Sequence, residues 1–199
     1  MVLESNNNPH IKKIVIFASG QGSNAKRIIE YFSNSQQVKV THVFSNNIKA
    51  PVLKTAHELE VNALHFDRDA FYETNEVLNL LKDIDPDLIV LAGFLWMMPS
   101  NIIEKFPDKI INLHPALLPK YGGKGMYGAK VHQAVLDNKE EETGISFHYV
   151  NEKYDEGKLI TQEKIKVNDG ETVGSLQERI HTLEHEHFVK VIEGLLIHE

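Results

Sequence analysis

The run Ile14-Val15-Ile16-Phe17-Ala18 constrains the fold more than any other stretch. Five apolar residues without a polar break suit a strand buried on both faces, not one that shows a face to water. Such a strand needs helices above and below it, which an α/β architecture supplies. The next residues meet that demand: Ser19-Gly20-Gln21-Gly22-Ser23-Asn24 is a glycine-rich turn, and residues 25–32 carry helical spacing through Ile28, Ile29 and Phe32. A strand, turn and helix in this order aim free backbone N–H groups and the positive end of a helix dipole at any anion above the turn. The glycines serve either that purpose or only the packing of a tight turn.

The same rhythm continues. Residues 38–44 read as a second strand, Pro51 opens a helix running to residue 59, and residues 61–66 read as a third strand. Asp67-Arg68-Asp69 marks a loop and the cap of one helix reaching about Ile84, and Leu88-Ile89-Val90-Leu91-Ala92 is a fourth, fully apolar strand. Strands alternating with helices at this pitch predict an α/β, Rossmann-like, doubly wound and mostly parallel sheet. The C-terminal part changes style. Residues 144–150 and 158–167 alternate apolar and polar around a polar loop, which predicts an antiparallel hairpin at one side of the sheet. Residues 172–197 form a long terminal helix with its stripe through Leu176, Ile180, Leu183, Val191 and Leu195.

Gly20-x-Gly22-x-x-Ala25 satisfies a relaxed dinucleotide fingerprint, but the second strand ends in Ser45-Asn46-Asn47, without the carboxylate that would hold a ribose. A mononucleotide phosphate suits this turn better. The 28 acidic and 21 basic residues leave a net charge of -7, which argues against nucleic acid and anionic membranes as partners. The chain has no cysteine, which excludes thiol catalysis, disulfides and zinc-thiolate sites. The polar first residues, with Asn6-Asn7-Asn8-Pro9, read as a frayed terminus over 1–11, and the expected setting is cytoplasmic, without a membrane partner.

Chemistry-bearing residues gather after Ile110-Ile111. Asn112 and His114 fall on one face of a strand end, pairing an amide donor with a titratable imidazole, and Pro115 and Pro119 stop the strand there. On their own they read first as a turn cap and an ordinary half-buried histidine. Phe94, Leu95, Trp96, Met97 and Met98 form an apolar loop at a strand's carboxyl end, suited to core packing or to lining a pocket. Arg68 reads as an anion ligand or a local ion pair with its flanking aspartates. The loop 120–128 holds four glycines and two lysines and is expected to be mobile. His181, His185 and His187 lie on the last helix; the i, i+4 pair has metal-ligand spacing without a zincin pattern, so a solvated face is expected.

The combination matters more than its parts. Ile111-Asn112-Leu113-His114-Pro115, then Leu117-Leu118-Pro119, then Gly144-Ile145-Ser146-Phe147-His148-Tyr149-Val150, then Asp155 in the next loop, resembles the folate-dependent formyltransferases. With Gly22-Ser23-Asn24 and Ala92-Gly93-Phe94 the chain is similar to the glycinamide ribonucleotide transformylases among them, over about residues 13–193. The resemblance implies formyl transfer from 10-formyltetrahydrofolate, as cosubstrate, to the amine of glycinamide ribonucleotide, with no metal required. It implies one formyltransferase domain over 1–199, with a phosphate-binding half at 12–110 and a catalytic and folate half at 111–199, working as a monomer or homodimer.

It further implies that Gly22, Ser23, Asn24 and Glu184 hold the ribonucleotide, and that Arg68, Leu95, Trp96, Met97, Met98 and Asn112 grip the folate, with the loop 152–157 around its pterin. Asn112, His114 and Asp155 are the implied catalytic set. Asp155 is expected to raise the His114 pKa toward or above neutrality, so that a protonated His114 joins Asn112 as a donor to the developing oxyanion, and to hold a water that shuttles the amine proton. Trp96 stands where many relatives carry Arg, and His181 where some carry Gln. A methionyl-tRNA formyltransferase is expected to add a C-terminal domain and a basic surface, and a formyltetrahydrofolate hydrolase an N-terminal regulatory domain. A non-catalytic nucleotide binder would tolerate loss of Asn112, His114 or Asp155, and all three are present.

Overall fold

The computed structural model describes residues 10–197. Residues 1–9 of the terminus expected to fray lie outside them. His10 is described, and its Nε2 stands 3.2 Å from Asp87.

The chain runs β1 (Lys12–Phe17), α1 (Ser23–Phe32), β2 (Val38–Ser45), α2 (Pro51–Glu58), β3 (Asn62–His65), α3 (Arg68–Tyr72), α4 (Glu76–Ile84), β4 (Leu88–Leu91), α5 (Ser100–Lys105), β5 (Ile110–His114), α6 (Ala129–Asp137), β6 (Glu142–Tyr149), β7 (Leu159–Lys166) and α7 (Val173–Ile197). All strands join one sheet in the order β3-β2-β1-β4-β5-β6-β7. The pairings from β3 through β5 are parallel, and β6 is antiparallel to both its neighbours. The expected doubly wound sheet with a hairpin at one side is therefore present.

Alternation along β1 builds a core on each face. Ile14 and Ile16 join the layer that holds α1, α2 and α7, while Val15 and Phe17 join the layer of Phe71, Leu81 and Ile102 from α3, α4 and α5. Phe17 is fully buried with Phe44, Phe66, Phe71 and Phe94 around it. Hiding a side chain of that size contributes about 2–3 kcal/mol. The last helix seals the first layer through Leu176, Ile180, Phe188, Val189 and Ile192.

Two expectations need correction. The single helix from Asp67 to Ile84 is two, because Asn75 takes a left-handed φ of 59° and restarts the chain as α4. The six-residue α5, after Pro99, was not anticipated; it is too short to show a periodic stripe.

The strand order reverses between β1 and β4, since β2 and β3 lie to one side of β1 and β4 and β5 to the other. At such a switch point the connections leave in opposite directions and a crevice opens at the carboxyl ends. Here those ends are tied together: Ser19 N donates to Gly93 O at 3.1 Å, Leu95 N to Ser19 Oγ at 2.9 Å, and Ser19 Oγ to Asn46 Oδ1 at 2.7 Å.

Candidate active site

A cleft of about 740 Å³ lies over this switch point, between the carboxyl ends of β1, β4 and β5, the loops 123–128 and 150–155, and one side of α7. Its three regions differ in chemistry.

At one end stands the start of α1. Gly22 caps the helix with φ 72°, and a Cβ there would lie 2.1 Å from Val52 Cγ2, so both backbone shape and space call for glycine. Gly22 itself makes the turn, and Ser23 and Asn24 line the cleft. Both reach α7: Ser23 Oγ is 2.7 Å from His181 Nε2, and Asn24 Nδ2 donates to Glu184 Oε2 at 2.8 Å. Burial pushes the Glu184 carboxyl up to about 7, against the pull of the Asn24 bond. His181 and His185 are half-buried with rings 4.2 Å apart, not the solvated face expected for them.

The opposite end is apolar. Phe94, Leu95, Trp96 and Met97 line it, and Met98 is 4% exposed and belongs mainly to the core beneath. Tyr72 Oη fixes this loop by donating to Met97 O at 2.9 Å. Arg68 is not brought to the cleft wall. Its guanidinium carbon lies 5.2 Å from the Trp96 ring and 5.0 Å from the Tyr72 ring, so its charge sits over both rings. Among the described residues Arg68 has no ion-pair partner; Asp67 instead caps α3 by accepting from Ala70 N.

Between the two ends the three expected catalytic groups converge. β5 delivers Asn112 and His114, and Asp155 reaches back from the β6–β7 loop with φ 56°, a conformation Asp enters more readily than most residues. His114 Nδ1 is 3.5 Å from Asp155 Oδ2, and Asn112 Nδ2 is 3.5 Å from Asp155 Oδ1. Asp155 Oδ2 also accepts from Gly123 N at 2.9 Å, and His114 Nε2 lies 2.7 Å from Tyr121 O, so the glycine-rich loop is attached to both.

Burial lowers the His114 pKa and outweighs the opposing pull of Asp155 and the Tyr121 carbonyl. The expected rise is thus reversed: the imidazole is held neutral. With Nε2–H donated to the Tyr121 carbonyl, its Nδ1 lone pair faces Asp155. Burial also works to raise the Asp155 carboxyl, but His148, His114 and the Gly123 amide together hold it low and therefore ionised.

Two histidines that carry no role in the sequence-based expectations complete this region. His148 on β6 pairs in register with Asn112, and its Nε2 lies 3.1 Å from Asn112 Nδ2 and 3.6 Å from Asp155 Oδ1. His132 on α6 lines the cleft; it is 3% exposed, its Nδ1 has no hydrogen-bond partner, and burial lowers its pKa. Strand alternation in 144–150 puts Ser146 and His148 on one face and was the available signal for His148; nothing local marked His132.

Among the described residues no group of three His, Asp or Glu is arranged to hold a metal ion, and no helix is long and apolar enough to cross a membrane.

Residues 12–192 match the Formyl transferase family model. The chain belongs to the formyl transferase family. This formyl transferase is 34% identical over 197 residues to the chloroplastic phosphoribosylglycinamide formyltransferase of Arabidopsis thaliana, covering 96% of the chain and 68% of the relative. It spans about two thirds of that plant protein's length. With the phosphoribosylglycinamide formyltransferase of Escherichia coli K12 it shares 34% identity over 185 residues, 90% of this chain and 84% of that one. In structure it superposes on glycinamide ribonucleotide transformylase 1 from Geobacillus kaustophilus with a TM-score of 0.85 at 31% identity, covering 94% and 100% of the two chains. The fold of this formyl transferase, including the antiparallel strands and the long last helix, is that of these neighbours.

Proposed function

We propose that this formyl transferase moves the formyl group of 10-formyltetrahydrofolate to the amine of N1-(5-phospho-D-ribosyl)glycinamide in purine biosynthesis, giving the N2-formyl product and tetrahydrofolate. The observation that carries the reading is the convergence of Asn112, His114 and Asp155 midway along a cleft whose two ends differ as the two substrates do. Ser23 and Asn24, on the turn made by Gly22, offer the start of a helix to the ribonucleotide phosphate, and Glu184 offers its carboxyl to the sugar. Leu95, Trp96, Met97 and Met98 offer apolar surface to the folate, with the loop 152–157 beside its pterin.

The amine attacks the formyl carbon, the new C–N bond forms, and the carbonyl oxygen takes up negative charge. An N–H of Asn112 meets that oxygen; a donor placed for the oxyanion in a site shielded from water contributes about 3 kcal/mol. The amine must then lose a proton and N10 of the folate must gain one as its C–N bond breaks. A neutral His114 beside an ionised Asp155 suits this exchange: Nδ1 accepts the proton, the resulting imidazolium is stabilised by the carboxylate, and the proton passes on to N10, directly or through a water held by Asp155. Burial thus equips His114 as an acceptor at the start of the reaction. The same reading makes the chain a cytoplasmic enzyme working as a monomer or homodimer, which fractionation and size-exclusion chromatography test.

The deciding assay follows deformylated folate by absorbance, with and without glycinamide ribonucleotide. Release only with the ribonucleotide supports transfer. Release without it would replace the reading with hydrolysis, and no release in either case would overturn it.

A further inference from the structure

His148 is buried to 2% exposure next to two of the three proposed catalytic groups, yet the proposed reaction leaves it without a task. Its hydrogen bonds fix its chemistry. Nδ1 is 2.8 Å from Tyr149 O, and a carbonyl can only accept, so Nδ1 carries a proton. In the neutral ring Nε2 is then an acceptor, and the group 3.1 Å from it is Asn112 Nδ2, which can only donate. Nε2 also faces Asp155 Oδ1 at 3.6 Å and helps to hold that carboxyl low, but the 3.1 Å contact to Asn112 is the one of hydrogen-bond length.

The backbone enforces this arrangement. Gly157 packs against the Tyr149 carbonyl so closely that a Cβ at 157 would lie 1.6 Å from that oxygen and 3.3 Å from His148 Nδ1. The close approach of the loop thereby holds in place the acceptor that selects the tautomer. Across the sheet, the Asn112–His148 register sets the two side chains opposite each other.

We propose that His148 is a positioning residue, locked by Tyr149 O as its Nδ1–H tautomer, that anchors one N–H of Asn112 and so turns the amide nitrogen, not the amide oxygen, toward the formyl group. An amide has two N–H bonds and an oxygen, and its ends differ little in shape, so an unanchored Asn112 presents an acceptor to the oxyanion as easily as a donor. With one N–H held on Nε2, the other makes only a long hydrogen bond, 3.5 Å, to Asp155 Oδ1, which it exchanges for the carbonyl oxygen. His148 acts through Asn112 and touches no reacting atom. This rests on the proposed formyl transfer for its kinetic consequences, but the tautomer and the anchor do not.

Two measurements test it. Histidine-selective 15N NMR of the whole protein, with His148 assigned by its loss in His148→Gln, reads the tautomer without any assay. The Nδ1–H form is expected, and an Nε2–H form would overturn the proposal whether or not formyl transfer is the reaction. Kinetics then compare His148→Leu, which fills the space without an acceptor, with His148→Gln, whose Oε1 restores one. Loss of orientation at a reacting centre costs on the order of 10- to 100-fold, so His148→Leu is expected to lose that much kcat with both KM values within about threefold. His148→Gln is expected to recover most of the loss. A Leu variant with normal kcat, or a Gln variant as slow as Leu at equal folded content, would overturn the role. A wild-type protein that transfers no formyl group refutes the functional reading instead and leaves the NMR result to decide the anchor.

Discussion

His114 and Glu184 are the two residues whose surroundings most change what they can do. Both are buried: the one is kept neutral when it would otherwise gain a proton at mildly acidic pH, and the other keeps a proton it would otherwise lose. His114→Ala and Asp155→Asn are each expected to lower kcat by about 100-fold or more while circular dichroism stays unchanged, since each removes one half of the proposed proton acceptor. For Glu184 the consequence extends to stability. Its folded pKa of about 7 stands above the ordinary 4.5, so between those values the folded protein binds more protons than the unfolded chain, and stability falls as pH rises through that window. The gap corresponds to roughly 3 kcal/mol. Glu184→Gln should therefore match wild type near pH 5 and exceed it near pH 8, where the buried carboxylate must ionise. Thermal melts of the two proteins at both pH values check this; equal pH dependence would count against a raised carboxyl.

At the scale of elements, the turn from β1 into α1 and the loop after β4 form the two ends of the cleft, and each depends on a contact made beneath it. Gly22→Ala places a methyl group against Val52 in a left-handed backbone, and overpacking of this kind costs about 1–3 kcal/mol. A lower Tm is expected, together with weaker binding of glycinamide ribonucleotide by calorimetry. Behind the other end, Arg68 supports Trp96 through a ring contact worth about 0.5–1 kcal/mol, so Arg68→Ala should change the KM for the folate by less than about fivefold. A much larger loss would mean that Arg68 leaves the indole and meets the folate directly.

The legibility of these parts in the sequence follows the range of the interaction that defines them. β1 and β4 were evident because an unbroken apolar run is a local signal, and Asn112 with His114 because a period of two is local as well. The break at Asn75 was not, since a left-handed asparagine leaves the apolar stripe on either side undisturbed. Asp155 needed the resemblance to a family, because a loop aspartate acquires its meaning only by folding back over β5. His148 needed the register between β5 and β6, and the neighbour that Arg68 meets, Trp96, lies 28 positions away along the chain, so only the packing brings the two together.

For the whole molecule, the sheet divides the work. The reversal of strand order at β1 and β4 creates the crevice, the antiparallel β6 brings His148 and the Asp155 loop to it, and α7 closes it with Glu184 and His181. The helices that cover both faces leave the strands' carboxyl ends as the place where polar groups can gather without weakening either core. Trp96 belongs to that assembly as part of the apolar wall, with the Arg68 cation over its ring, and it is the chain's one tryptophan. The molecule therefore carries its own optical gauge. Indole emission comes from a single site, on the wall proposed to meet the folate, so a titration with a formyl folate analogue should quench it in proportion to occupancy, while saturation with the ribonucleotide alone should leave it nearly unchanged.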